Sequence, residues 1–242
     1  MTKNICDIMN ITFIHTRASK SLHPAAMYLC NHRSWGDFYM DQVVCGGGAF
    51  LSRLLVIIGC PGSSIAAWIG HSTWFFNRKK GLDRDGLADY LEGFWLQRPD
   101  KGLIVYPEGT RNQKNKPLKL KTGVLYMAYK HNRPVQSVIT TNKEVVTNEK
   151  TFHVQRNAIC VSSISDVLTP KTFDTFEAFV EAVRKQYIET WDDAYGAKQE
   201  DCQIFVPPLG LPAPGYDNLP IPKRAWIARM FLLLIALAFY LK

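Results

Sequence analysis

Short apolar runs alternate with segments of helical period along most of this 242-residue chain, and that alternation limits the folds open to it. The runs are Ala25 to Cys30, Thr73 to Phe76, Gly102 to Tyr106, Pro134 to Thr140 and Asn157 to Ile164. Each is strand-like in length, and Thr73 to Phe76 reads as a buried strand. Between them lie amphipathic helices. One runs through Trp35, Phe38, Tyr39 and Val43 and is stopped by Gly46 to Gly48. From Asp83 to Gln97 the positions Leu87, Tyr90, Leu91, Phe94 and Trp95 share one face, and at 121–131 Val124, Leu125 and Ala128 point inward. Thr175 to Trp191 is the best-defined helix, with Phe176, Phe179, Val180, Val183, Tyr187 and Trp191 on a face and Asp174 and Glu177 at capping spacing. This order predicts an α/β fold with a mostly parallel central sheet flanked by helices.

Past Trp191 the texture changes. A globular α/β domain is expected over 1–200 and a stiff Pro-rich linker over 201–224, with Pro207, Pro208, Pro212, Pro214, Pro220 and Pro222. An apolar segment follows at 225–242. As a helix, the 17 residues Ala225 to Leu241 span roughly 25 Å, slightly short of a hydrocarbon core of about 30 Å. Arg229 can snorkel, and Lys223, Arg224 and Lys242 flank the segment. A buried core helix fits poorly after such a linker, so a C-terminal membrane-anchor helix is expected, spanning the bilayer or lying in its interface. The basic residues before it place the globular domain on the cytosolic side, at the endoplasmic reticulum if the source is eukaryotic. Asp7, Asn10 and Thr12 interrupt any secretory signal in the first twenty residues.

With 29 Lys and Arg against 21 Asp and Glu, the net charge is +8. Such an excess favours an anionic partner, and charge alone leaves nucleic acid, a membrane surface and a phosphorylated substrate all open. The six cysteines (Cys6, Cys30, Cys45, Cys60, Cys160 and Cys202) form no C-x-x-C pair and have no His at ligand spacing. That argues against a disulfide framework or zinc site and for a reducing compartment.

Three polar clusters each follow an apolar run: Asn31-His32-Arg33-Ser34-Trp35-Gly36-Asp37, Phe75-Phe76-Asn77-Arg78 and Pro107-Glu108-Gly109-Thr110-Arg111. Ligand sites in open α/β sheets lie beyond the carboxyl ends of strands, so the three point to one shared site. A His-x4-Asp match arises by chance about 0.3 times in such a chain, so its placement carries the weight. His32 leaves a strand end and Asp37 enters the next helix, where its carboxylate can fold back on the imidazole and fix the tautomer. His32 is then a candidate general base. The pentapeptide Pro107 to Arg111 is far more specific, at about one chance match per several million positions. Gly109 permits a left-handed turn, and Arg111 offers a fork suited to phosphate.

Together, HRSWGD and PEGTR at this separation resemble the glycerolipid acyltransferase superfamily, the lysophosphatidate and related lysophospholipid acyltransferases. The resemblance covers roughly residues 11 to 165 and includes the aromatic run Trp74 to Arg78 and the segment Lys121-Thr122-Gly123. It implies His32 as base and Asp37 as its orienter. It also implies that Arg78, Glu108, Gly109, Thr110 and Arg111 line the acceptor's phosphate pocket, with Lys121 nearby. It implies direct attack of a lysolipid hydroxyl on an acyl-CoA thioester, with acyl-CoA as co-substrate, no cofactor, no metal and no acyl-enzyme. The expected partners are acyl-CoA, a phosphate-bearing lysolipid and a membrane. The alternative is a membrane-bound lipid-binding or scaffold protein of the same fold without acyl transfer. Two positions depart from the family pattern: Ser72 stands where a Gly is usual (or the Gly is displaced to Gly70), and Ser137 takes a usual proline position. Arg78-Lys79-Lys80 and Lys114 to Lys121 look like nucleic-acid patches, but a membrane surface accounts for them, and no nucleic-acid partner is expected.

Overall fold

A computed structural model describes residues 2–53, 72–76, 83–97, 101–148, 151 and 153–205. Arg78, Cys60, the proline-rich stretch from 207 and the apolar segment 225–242 lie outside the described residues. Among the described residues, no helix is long and apolar enough to cross a membrane.

The described strands are β1 (Thr12–His15), β2 (Met27–Cys30), β3 (Ala49–Arg53), β4 (Thr73–Phe76), β5 (Leu103–Val105), β6 (Val135–Thr140), the small hairpin β7 (Thr147–Asn148) and β8 (His153–Val154), β9 (Ile159–Ile164) and β10 (Gln203–Ile204). All but the hairpin join one sheet in the order β10-β1-β9-β6-β2-β5-β3-β4. Five of its seven strand pairings are parallel; the antiparallel ones are β1 with β10 and β6 with β9. The fold is therefore α/β with a mostly parallel sheet, as the alternating pattern predicts.

Central strands bury both faces because helices cover both. Met27, Leu29, Leu103, Val105, Val135 and Ile139 face one core with Trp74, Leu91, Trp95, Leu125, Phe179, Val183 and Trp191. The alternate residues Tyr28, Cys30, Ile104 and Val138 face the other, with Met40, Val43, Val44 and Phe50. The first core lies under helices α3 (Arg84–Trp95), α4 (Gly123–Lys130) and α6 (Phe176–Gly196). The second lies under α1 (Thr2–Ile8) and α2 (Asp37–Val44). A short turn of helix, α5 (Lys143–Val146), follows β6.

Several local expectations are corrected. The helix after β2 starts at Asp37, so Trp35 precedes it and stands 58% exposed instead of joining an inward face. In α3 the buried stripe is Ala88, Leu91 and Trp95, which rotates Tyr90 to 44% exposure with its ring edge-on to Phe94. The N-cap of α6 is Thr175, whose hydroxyl accepts from the Ala178 amide at 3.1 Å; its extended backbone aims the side chain at that donor, which Asp174 does not reach. At Ser137 the backbone amide donates to Ser165 Oγ at 2.9 Å, a bond that a proline could not form.

Candidate active site

Strands β6, β2 and β5 are neighbours at the centre of the sheet and run the same way, so their carboxyl ends open on one edge. The segment after β2 begins at Asn31, the segment after β5 at Tyr106 and the segment after β6 at Thr141. Asn31 locks two of these ends together. Its amide donates to the Thr140 carbonyl at 2.9 Å, and its side-chain oxygen accepts from the Thr140 amide at 3.0 Å.

His32 follows, with Nδ1 2.7 Å from Asp37 Oδ2. Its side chain keeps 18% of its surface exposed, whereas that of Asp37 keeps none. Asp37 also accepts from the Arg33 amide at 2.5 Å, the Ser34 amide at 3.0 Å and the Ser34 hydroxyl at 3.1 Å. Burial opposes charge on Asp37, but the nearby Lys143 ammonium, His32 and the Arg33 amide outweigh it and hold its pKa below the ordinary carboxyl value. An ionised carboxylate is only an acceptor, so the imidazole nitrogen facing it carries the hydrogen. The lone pair of a neutral His32 therefore sits on Nε2, away from Asp37. Tyr106 stacks on the other side of the ring, at 4.2 Å between centroids and 16° between planes, and Phe38 meets it edge-on at 6.3 Å.

The Pro107 to Arg111 turn is stitched to this block. The Asn112 amide donates to the His32 carbonyl at 2.7 Å, and Arg33 donates to the carbonyls of Asn112 and Lys114 at 2.7 Å each. Arg33 is only 2% exposed and is paired with Glu144. The motif's arginine is thus an internal brace between the two loops. Gly109 has φ of +70°, and a Cβ there would fall 2.5 Å from Lys121 Nζ and 2.8 Å from its Cδ and Cε. The missing side chain lets the exposed Lys121 pack across the turn.

All of the expected site residues but Arg78 lie among the described residues. His32 and Asp37 are bonded, and Gly109 and Lys121 touch. Thr110 and Arg111 are exposed on the same turn, with the Arg111 guanidinium 5.8 Å from the Trp35 ring centre. Glu108 turns inward instead: it is 2% exposed and accepts from the Tyr187 hydroxyl at 3.2 Å. Burial raises its pKa. It holds the turn from behind. Arg78 lies outside the described residues.

Sequence reasoning missed Asp41, Tyr106, Lys143 and Glu144. Asp41 had a visible signal: it follows Asp37 by four residues, which puts two carboxylates on one helix face. Lys143 had none, because only the folded sheet brings the end of β6 beside the end of β2.

A 1-acyl-sn-glycerol-3-phosphate acyltransferase of Cocos nucifera is 21% identical over 182 residues, 73% of this chain and 57% of the relative. One of Limnanthes douglasii is 28% identical over 87 residues, 36% of this chain and 31% of the relative. The chain thus spans little more than half the length of the first and about a third of the second. In fold it matches the crystal structure of the 1-acyl-sn-glycerophosphate acyltransferase PlsC from Thermotoga maritima, with a TM-score of 0.62, 18% identity and coverage of 82% of this chain and 78% of that one. The family model described as Acyltransferase matches residues 11–141, just over half of the chain and both motif blocks, and the chain belongs to that family.

Proposed function

We propose that the protein transfers a fatty acyl group from an acyl-CoA thioester to a hydroxyl of a phosphate-bearing, lysophosphatidate-like lipid, with His32 as general base. The observation that carries this is the His32–Asp37 pair, which leaves the lone pair on Nε2, beside a turn bonded to the His32 carbonyl through Asn112 and carrying Arg111. The names of the curated relatives support the acceptor class.

In this reading Nε2 takes the proton of the acceptor hydroxyl as its oxygen attacks the thioester carbonyl carbon. The new C–O bond forms, the C–S bond breaks, and the imidazolium returns the proton to the departing thiolate. Asp37 stabilises the imidazolium between these steps. Arg111 and Lys121, with Arg78, hold the acceptor's phosphate. Positioning two bound reactants supplies further rate. No cofactor takes part. The apolar segment 225–242 anchors the chain at a membrane, with the catalytic domain on the cytosolic side.

The test is free-thiol release from a long-chain acyl-CoA mixed with a panel of lysophospholipids, with His32→Ala alongside. Release that needs the acceptor and vanishes in the variant supports the reading. No release from any pair, with lipid binding intact, points to a lipid-binding protein of this fold. Two substitutions probe the phosphate side. Arg111→Ala is expected to raise the acceptor KM about tenfold or more, since a charge-assisted bond contributes roughly 1.5–3 kcal/mol, with kcat changed much less. An unchanged KM would remove Arg111 from the phosphate site. Gly109→Ala strains a left-handed backbone by about 1–2 kcal/mol and displaces Lys121. A several-fold rise in acceptor KM is expected, and wild-type kinetics in this variant would show that Lys121 need not cross the turn.

A further inference from the structure

Lys143 is the first residue of α5 and lies two positions beyond the stretch matched by the family model. Its side chain is fully buried. The ammonium donates to the Asn31 carbonyl at 2.5 Å and to both oxygens of Asp41 at 2.9 Å, and it stands 4.0 Å from Asp37 Oδ2. Asp41, also fully buried, accepts from the Tyr106 hydroxyl at 3.0 Å. Tyr106 is the residue whose ring lies flat on the His32 imidazole. The chain of contacts therefore closes around His32: the backbone just before it, the carboxylate beside it and the ring stacked on it all lead to one ion pair. Burying such a pair is costly, and well-packed apolar residues would serve stability as well. The use of charges here calls for a reason in the site.

We propose that Lys143 and Asp41 are positioning residues for His32, fixing the Asn31 carbonyl that precedes it and the Tyr106 ring that stacks on its imidazole. The kinetic consequence rests on the acyl-transfer reading; the effect on the imidazole does not. The charged and titratable groups packed with His32 and this ion pair are Asp37 and Asp41 on α2, Tyr106 after β5, Lys143 and Glu144 on α5, and Arg33, which is paired with Glu144. The Cys30 and Cys45 thiols lie 3.7 Å apart behind them.

Asp41→Asn keeps an oxygen for Lys143 but removes a negative charge. Lys143 then stands 4.0 Å from Asp37 with no carboxylate of its own and competes with His32 for Oδ2. Burial also pushes the Asp41 carboxyl up to about 6, so the ion pair with Lys143 weakens as pH falls through that value, an ionisation that the variant lacks. The acidic limb of kcat/KM is expected to lose the component that follows the Asp41 ionisation. A fall in kcat of about tenfold to a hundredfold, with KM little changed, is expected alongside.

The experiment uses the full chain in detergent micelles with a long-chain acyl-CoA and lysophosphatidate, together with nitrogen-15 spectra of labelled histidine. His32→Ala assigns the signal. In wild type the His32 ring should show one tautomer, with the hydrogen on Nδ1; in Asp41→Asn that preference should weaken. Lys143→Met with Asp41→Leu removes the hold on both the Asn31 carbonyl and the Tyr106 hydroxyl, and is expected to show the same weakened tautomer preference and fall in kcat if Asp41→Asn fails to fold. A folded variant of either kind that keeps both the wild-type limb and the single tautomer overturns the proposal. If wild type releases no thiol, the acyl-transfer reading fails, and the tautomer alone still judges the positioning role.

Discussion

Replacing His32 with alanine is expected to lower kcat by about 10²- to 10⁴-fold, the usual contribution of a positioned general base. Loss of the proton acceptor accounts for the fall, because the acceptor hydroxyl must then attack with water as its only base. The fold should survive. Asp37 keeps its donors from the Arg33 amide, the Ser34 amide and the Ser34 hydroxyl, so no buried carboxylate is left without partners. Tyr106 loses one stacked ring but keeps Phe38 edge-on at 5.9 Å and its bond to Asp41. Thermal unfolding within a few degrees of wild type, together with collapsed thiol release, is the expected pair of results. Substantial turnover by the folded variant would sink the base assignment.

Arg33→Met is expected to act through stability. The guanidinium is 2% exposed, donates to Glu144 Oε2 at 3.0 Å and braces the Asn112 and Lys114 carbonyls. Removing one partner of a buried ion pair costs about 3–5 kcal/mol, because the other charge is stranded. At about 2–4 °C per kcal/mol for a domain of this size, the melting temperature should fall by roughly 10 °C. The loop at 112–116 loses its hold on the His32 block, so activity should also fall. Arg33→Met with Glu144→Gln should recover much of the stability, since no charge then remains unpaired. A single variant that melts like wild type would show that the brace contributes nothing to folding.

Much of the architecture is legible without coordinates, for a physical reason that particular residues make plain. Strands buried on both faces are rich in apolar residues, so Met27 to Cys30 and Leu103 to Val105 stand out as runs, while Val135 to Thr140 also buries Gln136, Ser137 and Thr140, each of which the fold supplies with neighbours. The short edge elements do not. Gln203–Ile204 is a two-residue strand whose side chains are exposed, and nothing in its composition separates it from a loop. Periodicity also locates a face less sharply than a helix. Tyr90 fits the apolar spacing of α3 yet lies at the margin, because the stripe that meets the sheet runs through Ala88, Leu91 and Trp95.

The candidate site divides along the same line. The pairing of His32 with Asp37 is local: five residues join a strand end to a helix start, and the chain has few ways to connect them without bringing the side chains together. Gly109 was legible as a turn because only a residue without Cβ accepts φ of +70° cheaply. By itself, then, the sequence determined the alternating fold, the bonded His–Asp pair and the tight turn, all of which depend on near neighbours and on burial. Tertiary structure alone decided the direction of Glu108, the burial of Arg33 and the place of Lys143 behind Asp37. Those depend on strand order, which sets β6 beside β2 and β2 beside β5 and so brings residues about a hundred positions apart into hydrogen-bonding reach.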